Sequence, residues 1–185
     1  MKLILKDVRL SFPTLWAPER VAEDSDPAYS ASFLMERGSE QEAATKAVIE
    51  AGGTEKWGKD WPAIKRQLLA QDRMCLHDGD LKTYDGYAGM SYVSARSKVR
   101  PLVVDRRKNP LTEADGVPYA GCYVNASLDV WAMSNQYGKR ICATLLGVQF
   151  VRDGVAFGGG GGSLNDFDEI AGGTDSAGAD DDLPW

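Results

Sequence analysis

Hydrophobic and polar positions alternate along the first residues of the chain. Leu3 and Leu5 alternate with Lys2, Ile4 and Lys6, and Val8, Leu10 and Phe12 continue one residue out of phase. A period of two predicts a strand, and the phase shift predicts a bulge near Lys6-Asp7. Pro13 predicts its end, and residues 28–35 form a second candidate strand. The pattern then changes. Ser39-Glu40-Gln41-Glu42 fits a capping box, Ala43, Ala47, Val48 and Ala51 follow at helical spacing, and Gly52-Gly53 predicts the stop. A second helix starts near Trp61-Pro62 and turns Ile64, Leu68 and Leu69 inward, with Trp57 and Trp61 in the core. After about residue 74 the chain reads as β. Asp78-Gly79 and Asp85-Gly86 are hairpin-type turn signals, and long strands are expected at 89–100, 119–133 and 139–152. Two strands, a helical insertion and then several strands fit a mainly β (α+β) fold, a small antiparallel barrel, better than a doubly wound sheet.

The C-terminal segment breaks this regime. Gly158 to Gly162 is an uninterrupted glycine run, and polar, acidic and glycine-rich sequence follows. Such composition predicts a disordered tether at 158–185, appended to a single domain at 1–157. Charge sharpens the division. A net charge of −6 argues against nucleic acid, yet all 21 basic residues lie in 1–157. The body is +1 and the tail −7. Such asymmetry is typical of an interaction tail.

Composition excludes several classes. No apolar run approaches the roughly 18 residues of a membrane span, and mean hydropathy is −0.32. The charged N-terminal segment reads as a strand and not as a signal peptide, so an intracellular protein without membrane partners is expected. Cys75, Cys122 and Cys142 are far apart and odd in number, no CxxC occurs, and His77 is the one histidine. Neither a disulfide framework, a structural zinc site nor any other metal or cofactor is expected. His77-Asp78-Gly79-Asp80 reads as a turn. The phosphate loop GxxxxGK[ST], the GxSxG elbow and HExxH are missing, so no enzyme is expected.

Candidate chemistry lies on the strand faces. Between Met90 and Arg100, one face carries Tyr92, Ser94, Arg96, Lys98 and Arg100, and the other Ser91, Val93, Ala95, Ser97 and Val99. One ring and three cations in line suit a single nucleic-acid strand, with a flat surface for a base and charge for phosphates. An ordinary solvated strand face would look similar. In the next strand, Cys122, Val124, Ala126, Leu128, Val130 and Ala132 form a core face, while Tyr119, Tyr123 and Trp131 share the polar side with Asn125, Ser127 and Asp129. A covering loop or helix would also account for these aromatics. A hairpin turn is expected at Asn135 to Gly138. Arg106-Arg107-Lys108, Lys139-Arg140 after that turn with Tyr137 alongside, and Lys82 with Tyr84 and Tyr87 add basic and aromatic clusters over 82–140.

Two stretches resemble known families. Asp180-Asp181-Asp182-Leu183-Pro184-Trp185 is similar to the acidic tip of bacterial single-stranded DNA-binding proteins, with Leu183 and Trp185 in its two apolar positions. The body resembles a family of tailed-phage OB-fold single-stranded DNA-binding proteins. The resemblance rests on Val8-Arg9-Leu10-Ser11-Phe12-Pro13, Tyr29-Ser30-Ala31-Ser32-Phe33, Arg100-Pro101, Tyr119-Ala120-Gly121-Cys122-Tyr123-Val124 and Leu145-Leu146-Gly147-Val148-Gln149-Phe150-Val151-Arg152-Asp153-Gly154. It implies an OB-fold-like antiparallel five-stranded barrel with a helical insertion. It also implies a phage protein binding single-stranded DNA in the host cytoplasm, for replication, recombination or repair. The tip implies recruitment of replication or recombination proteins, and a −7 tail could compete with DNA for the body. The competing classes are a protein-interaction module whose tail mimics nucleic acid, and an RNA-binding OB module.

Overall fold

The computed structural model describes residues 1–157. The expected disordered tail and the tip Asp180 to Trp185 lie outside the described residues.

The first strand, β1 (Lys2–Glu19), bends twice. Asp7 has φ 51°, and the register against the partner strand shifts between Leu5 and Val8, as the phase shift predicted. Pro13 does not end the strand. Phe12 adopts φ 45° and the register shifts again between Ser11 and Thr14. Pro13 thus falls inside a second bulge, where its missing N–H costs no ladder bond.

β2 (Ala28–Glu36) pairs antiparallel with β1 and with β4 (Met90–Ser97). β6 (Tyr123–Asn135) and β7 (Gly138–Arg152) form a long hairpin around the expected turn, and β6 pairs with the other edge of β1. A parallel pairing of Arg96 with Thr144 closes β4 onto β7. In chain order, the five barrel strands are arranged 1-2-3-5-4-1, the OB-fold arrangement. Two short strands extend the sheet, β3 (Leu76–Asp78) beside β4 and β5 (Leu102–Val104) beside β7. Leu5, Leu10, Phe33, Val93, Val124, Leu128, Ile141 and Leu145 fill the interior. Each such side chain contributes about 1.5–3 kcal/mol by leaving water.

The insertion holds α1 (Glu40–Trp57) and α2 (Trp61–Ala70), and α1 packs against β1, β2 and β6. Ser39 caps α1 by accepting from the Glu42 N–H. Gly52-Gly53 does not stop α1. Both glycines are buried, and a Cβ on Gly53 would lie 2.3 Å from the Trp61 ring. The pair allows α2 to approach closely, and the helix runs on to Trp57, whose ring stacks on Trp61 at 5.5 Å. Ile64 and Leu68 face inward one turn apart, whereas Leu69 is rotated about 100° from Leu68 and is exposed, contrary to expectation.

The Asp-Gly signals do not make tight hairpins. The Asp78 carboxylate accepts from the Asp80 N–H and starts a 3₁₀ turn, and Arg37 pairs with both aspartates. Residues 79–89 then fold back across the outer face of the barrel.

Candidate nucleic-acid interface

The polar face of β2 and β4 carries Ser30, Ser32, Ser94 and Arg96, with Ser30 opposite Arg96 and Ser32 opposite Ser94. The loops at 20–27 and 136–137 border this face. In OB-folds, these two loops and this pair of strands form the oligonucleotide surface. An open groove of about 410 Å³ lies here. Phe12 of β1 stands at one end and Arg140 of β7 at the other, with Arg73, Asp72 and His77 along its side. Its floor includes Cys75, Ala95, Ile141 and Ala143. Burial, with Cys142 close by, pushes the Cys75 thiol up to about 12, so the floor is uncharged there.

Arg96, Cys142 and Ala143 also line a second groove of about 620 Å³, which continues over β7 to Trp131 and Met133 of β6. The combined channel crosses the outer surface from β1 to β6. Trp131 is 41% exposed, and its Nε1 donates to Thr144 Oγ1 at 3.0 Å, which fixes the ring. Arg96 donates to the Asp26 carbonyl, and Lys98 pairs with the Asp26 carboxylate. That pairing, with Arg20 and Arg96 nearby, holds Asp26 below the usual carboxylate range. Arg100 lies over the Trp16 ring at 5.7 Å.

The structure therefore brings Arg96, Lys98, Trp131 and Arg140 to one channel. β4 ends at Ser97, short of the expected residue 100, so Arg100 lies three residues beyond the strand and lines neither groove. Tyr84 and Lys82 lie exposed on the 79–89 loop beyond the Phe12 end. The expectation of open rings at Tyr87 and Tyr92 is corrected. They are 2% and 6% exposed, packed with Leu34 in a small cluster where Tyr87 pins that loop onto the barrel. Tyr87 donates to Ser11 Oγ at 2.9 Å, and Tyr92 stacks on His77 at 4.9 Å. Burial, then the charge of Asp72, pushes the Tyr92 phenol up to about 12.

Other candidates lie elsewhere. Lys139 is on the opposite face of β7 from Arg140. Arg106 donates to the Val151 carbonyl, seven residues along β7 from Thr144, which separates Arg106, Arg107 and Lys108 from the channel by roughly 23 Å of strand. Tyr119 donates to Asp153 at 2.7 Å. Arg152 covers the Tyr123 ring at 3.6 Å. Both tyrosines stand at the end of β6 remote from Trp131 and do not join the channel.

The model of the family described as "Enterobacter phage Enc34, ssDNA-binding protein" matches residues 1–182. The chain belongs to this family. It is 46% identical over 179 residues to protein p50 of Acyrthosiphon pisum secondary endosymbiont phage 1, covering 92% of this chain and 95% of that one. The single-stranded DNA-binding protein of bacteriophage Enc34, solved in complex with ssDNA, superposes with a TM-score of 0.71 at 28% identity, over 85% of this chain and 89% of that one. The single-stranded DNA-binding protein encoded by bacteriophage T7 superposes with a TM-score of 0.53 at 13% identity, over 90% and 93% of the two chains, a likeness of fold.

In this member of the Enc34 family, two groove residues, Arg73 and Phe12, escaped sequence reasoning. Arg73 follows α2 and donates to the Tyr137 carbonyl at 2.9 Å, tying the β6–β7 turn to the groove. Tyr137 is exposed at that turn. Phe12 is an apolar position of β1 that alternation assigns to the core, and the second bulge turns it outward. A single-residue conformation at a bulge leaves no periodic signal. Among the described residues, no group of three or more histidine, cysteine or acidic side chains could hold a metal ion. No helix among them is long and apolar enough to cross a membrane.

Proposed function

We propose that the protein binds single-stranded DNA without strong sequence preference along the channel from Phe12 to Trp131. The supporting observation is the convergence of Arg73, Arg96 and Arg140 on the β2–β4 face of an OB barrel, with an exposed aromatic at each end. The channel offers cations for phosphates and ring faces for bases. Membership of a phage family whose description names single-stranded DNA supports the same reading. The role is in phage DNA replication, recombination or repair in the host cytoplasm.

The acidic tail has a separate role. Leu183-Pro184-Trp185 suits a small apolar pocket rimmed by basic residues on a replication or recombination protein, and Asp180, Asp181 and Asp182 steer the encounter. In the absence of DNA, the −7 tail competes for the channel, and DNA binding frees the tip.

Single substitutions test the channel by fluorescence anisotropy of labelled oligo-dT across a salt series. Arg73→Ala, Arg96→Ala and Arg140→Ala should each weaken binding and reduce the slope of log affinity against log salt by about 1. Arg106→Ala, Arg107→Ala and Lys108→Ala should leave the slope nearly unchanged. The reverse pattern would place the DNA on the β5 side of the barrel.

A further inference from the structure

Phe12 combines features that a core residue would not. Its ring is 55% exposed. Its backbone is at φ 45°, a left-handed conformation unfavourable for a bulky side chain and rare outside glycine, asparagine and aspartate. Strain of this kind persists where its surroundings impose it, and it clusters at binding sites. The bulge turns the ring away from the barrel interior and sets it edge-to-face against Tyr84, with centroids 4.8 Å apart.

The ring borders two spaces. One side lines the basic groove with Arg96 and Arg140. The other lines a cleft of about 500 Å³, walled by Tyr84 and Phe157, with Ser11, Thr83 and Asp85 as its polar lining. Phe157 is held there by its backbone bond to Ala120 at 2.9 Å and by the Arg9 guanidinium, 3.9 Å from its ring centroid. Three aromatic rings thus line a cleft that opens where the cationic groove ends. A strand leaving the groove would have its next base at this point, and an aromatic-walled cleft suits a π-face irrespective of sequence.

Building on the proposed DNA channel, we infer that Phe12 is a base-stacking residue and that the cleft between Phe12, Tyr84 and Phe157 receives one unstacked nucleobase at the end of the channel. Phe12 is held ready by the bulge, so ordering its ring on binding costs little.

The test compares the full chain with Phe12→Gly and Phe12→Trp. Binding is read with oligo-dT carrying 2-aminopurine at successive single positions, alongside thermal melting. Glycine accommodates φ 45° without strain, so Phe12→Gly should melt at or above the temperature of the unaltered protein. It should nevertheless bind about 5- to 150-fold more weakly, the loss of one base stack. Quenching of 2-aminopurine at one position near an end of the bound segment should disappear in the same variant. Phe12→Trp should retain both affinity and quenching. Unchanged affinity in Phe12→Gly, or equal losses in both variants, would overturn the assignment. If the unaltered protein does not bind oligo-dT, the channel reading itself fails, a result distinct from either.

Discussion

Glu42 links three parts of the structure through one carboxylate. It is buried at the start of α1, accepts from Ser91 Oγ of β4 at 2.6 Å and from the Gly38 N–H at 2.8 Å, and pairs with Lys46. The bond from Ser91, then that from Gly38, holds its pKa at about 2 against an ordinary value of 4.5. A depressed folded pKa adds stability that is fully present above pH 4.5 and is lost as pH falls towards 2. Glu42→Ala leaves the buried Ser91 hydroxyl without its partner and should cost about 1–3 kcal/mol at neutral pH. In chemical denaturation, the gap from the unaltered protein should close between those two pH values. A gap independent of pH would contradict this role. The sequence showed Glu42 as the last residue of a capping box, but not its bond to Ser91, because capping patterns carry no long-range information. The same boundary applies to Tyr87 and Tyr92. Alternation along β4 correctly put Tyr92 on the face with Arg96, but it cannot show that residues 79–89 fold over half of that face.

Elements were legible where one period dominates. β4, β6 and β7 follow their alternation, and the β6–β7 turn lies at the expected residues. The misjudged boundaries share a cause: tertiary contacts overrode residues that usually terminate an element. Pro13 falls in a bulge within β1, and Gly52-Gly53 lies inside α1 against Trp61. Gly53 carries a direct consequence. Gly53→Ala raises helix propensity by about 1 kcal/mol, but its methyl group would meet the Trp61 ring at 2.3 Å. Overpacking typically costs about 1–3 kcal/mol, so the variant should melt at a lower temperature. An increase in melting temperature would show that α2 can retreat from α1 without loss.

For the whole molecule, charge is divided between a near-neutral body and a −7 tail, and within the body three arginines meet in one channel. The first division was legible in the sequence because it follows chain position. The second was not. Arg73, Arg96 and Arg140 come from three separate segments, and only barrel closure between β4 and β7 brings them together. This arrangement predicts binding that is selective for single strands, sensitive to salt and opposed by the tail. The most direct test is fluorescence anisotropy with labelled oligo-dT, duplex DNA and oligo-U across a salt series, for the full chain beside a chain ending at Phe157. Oligo-dT should bind in preference to duplex, and log affinity should fall against log salt with a slope of about −2 or steeper, the share of three arginines. The shorter chain should bind more tightly at low salt. If neither form binds oligo-dT at low salt, the channel is not a DNA site and the central claim is wrong.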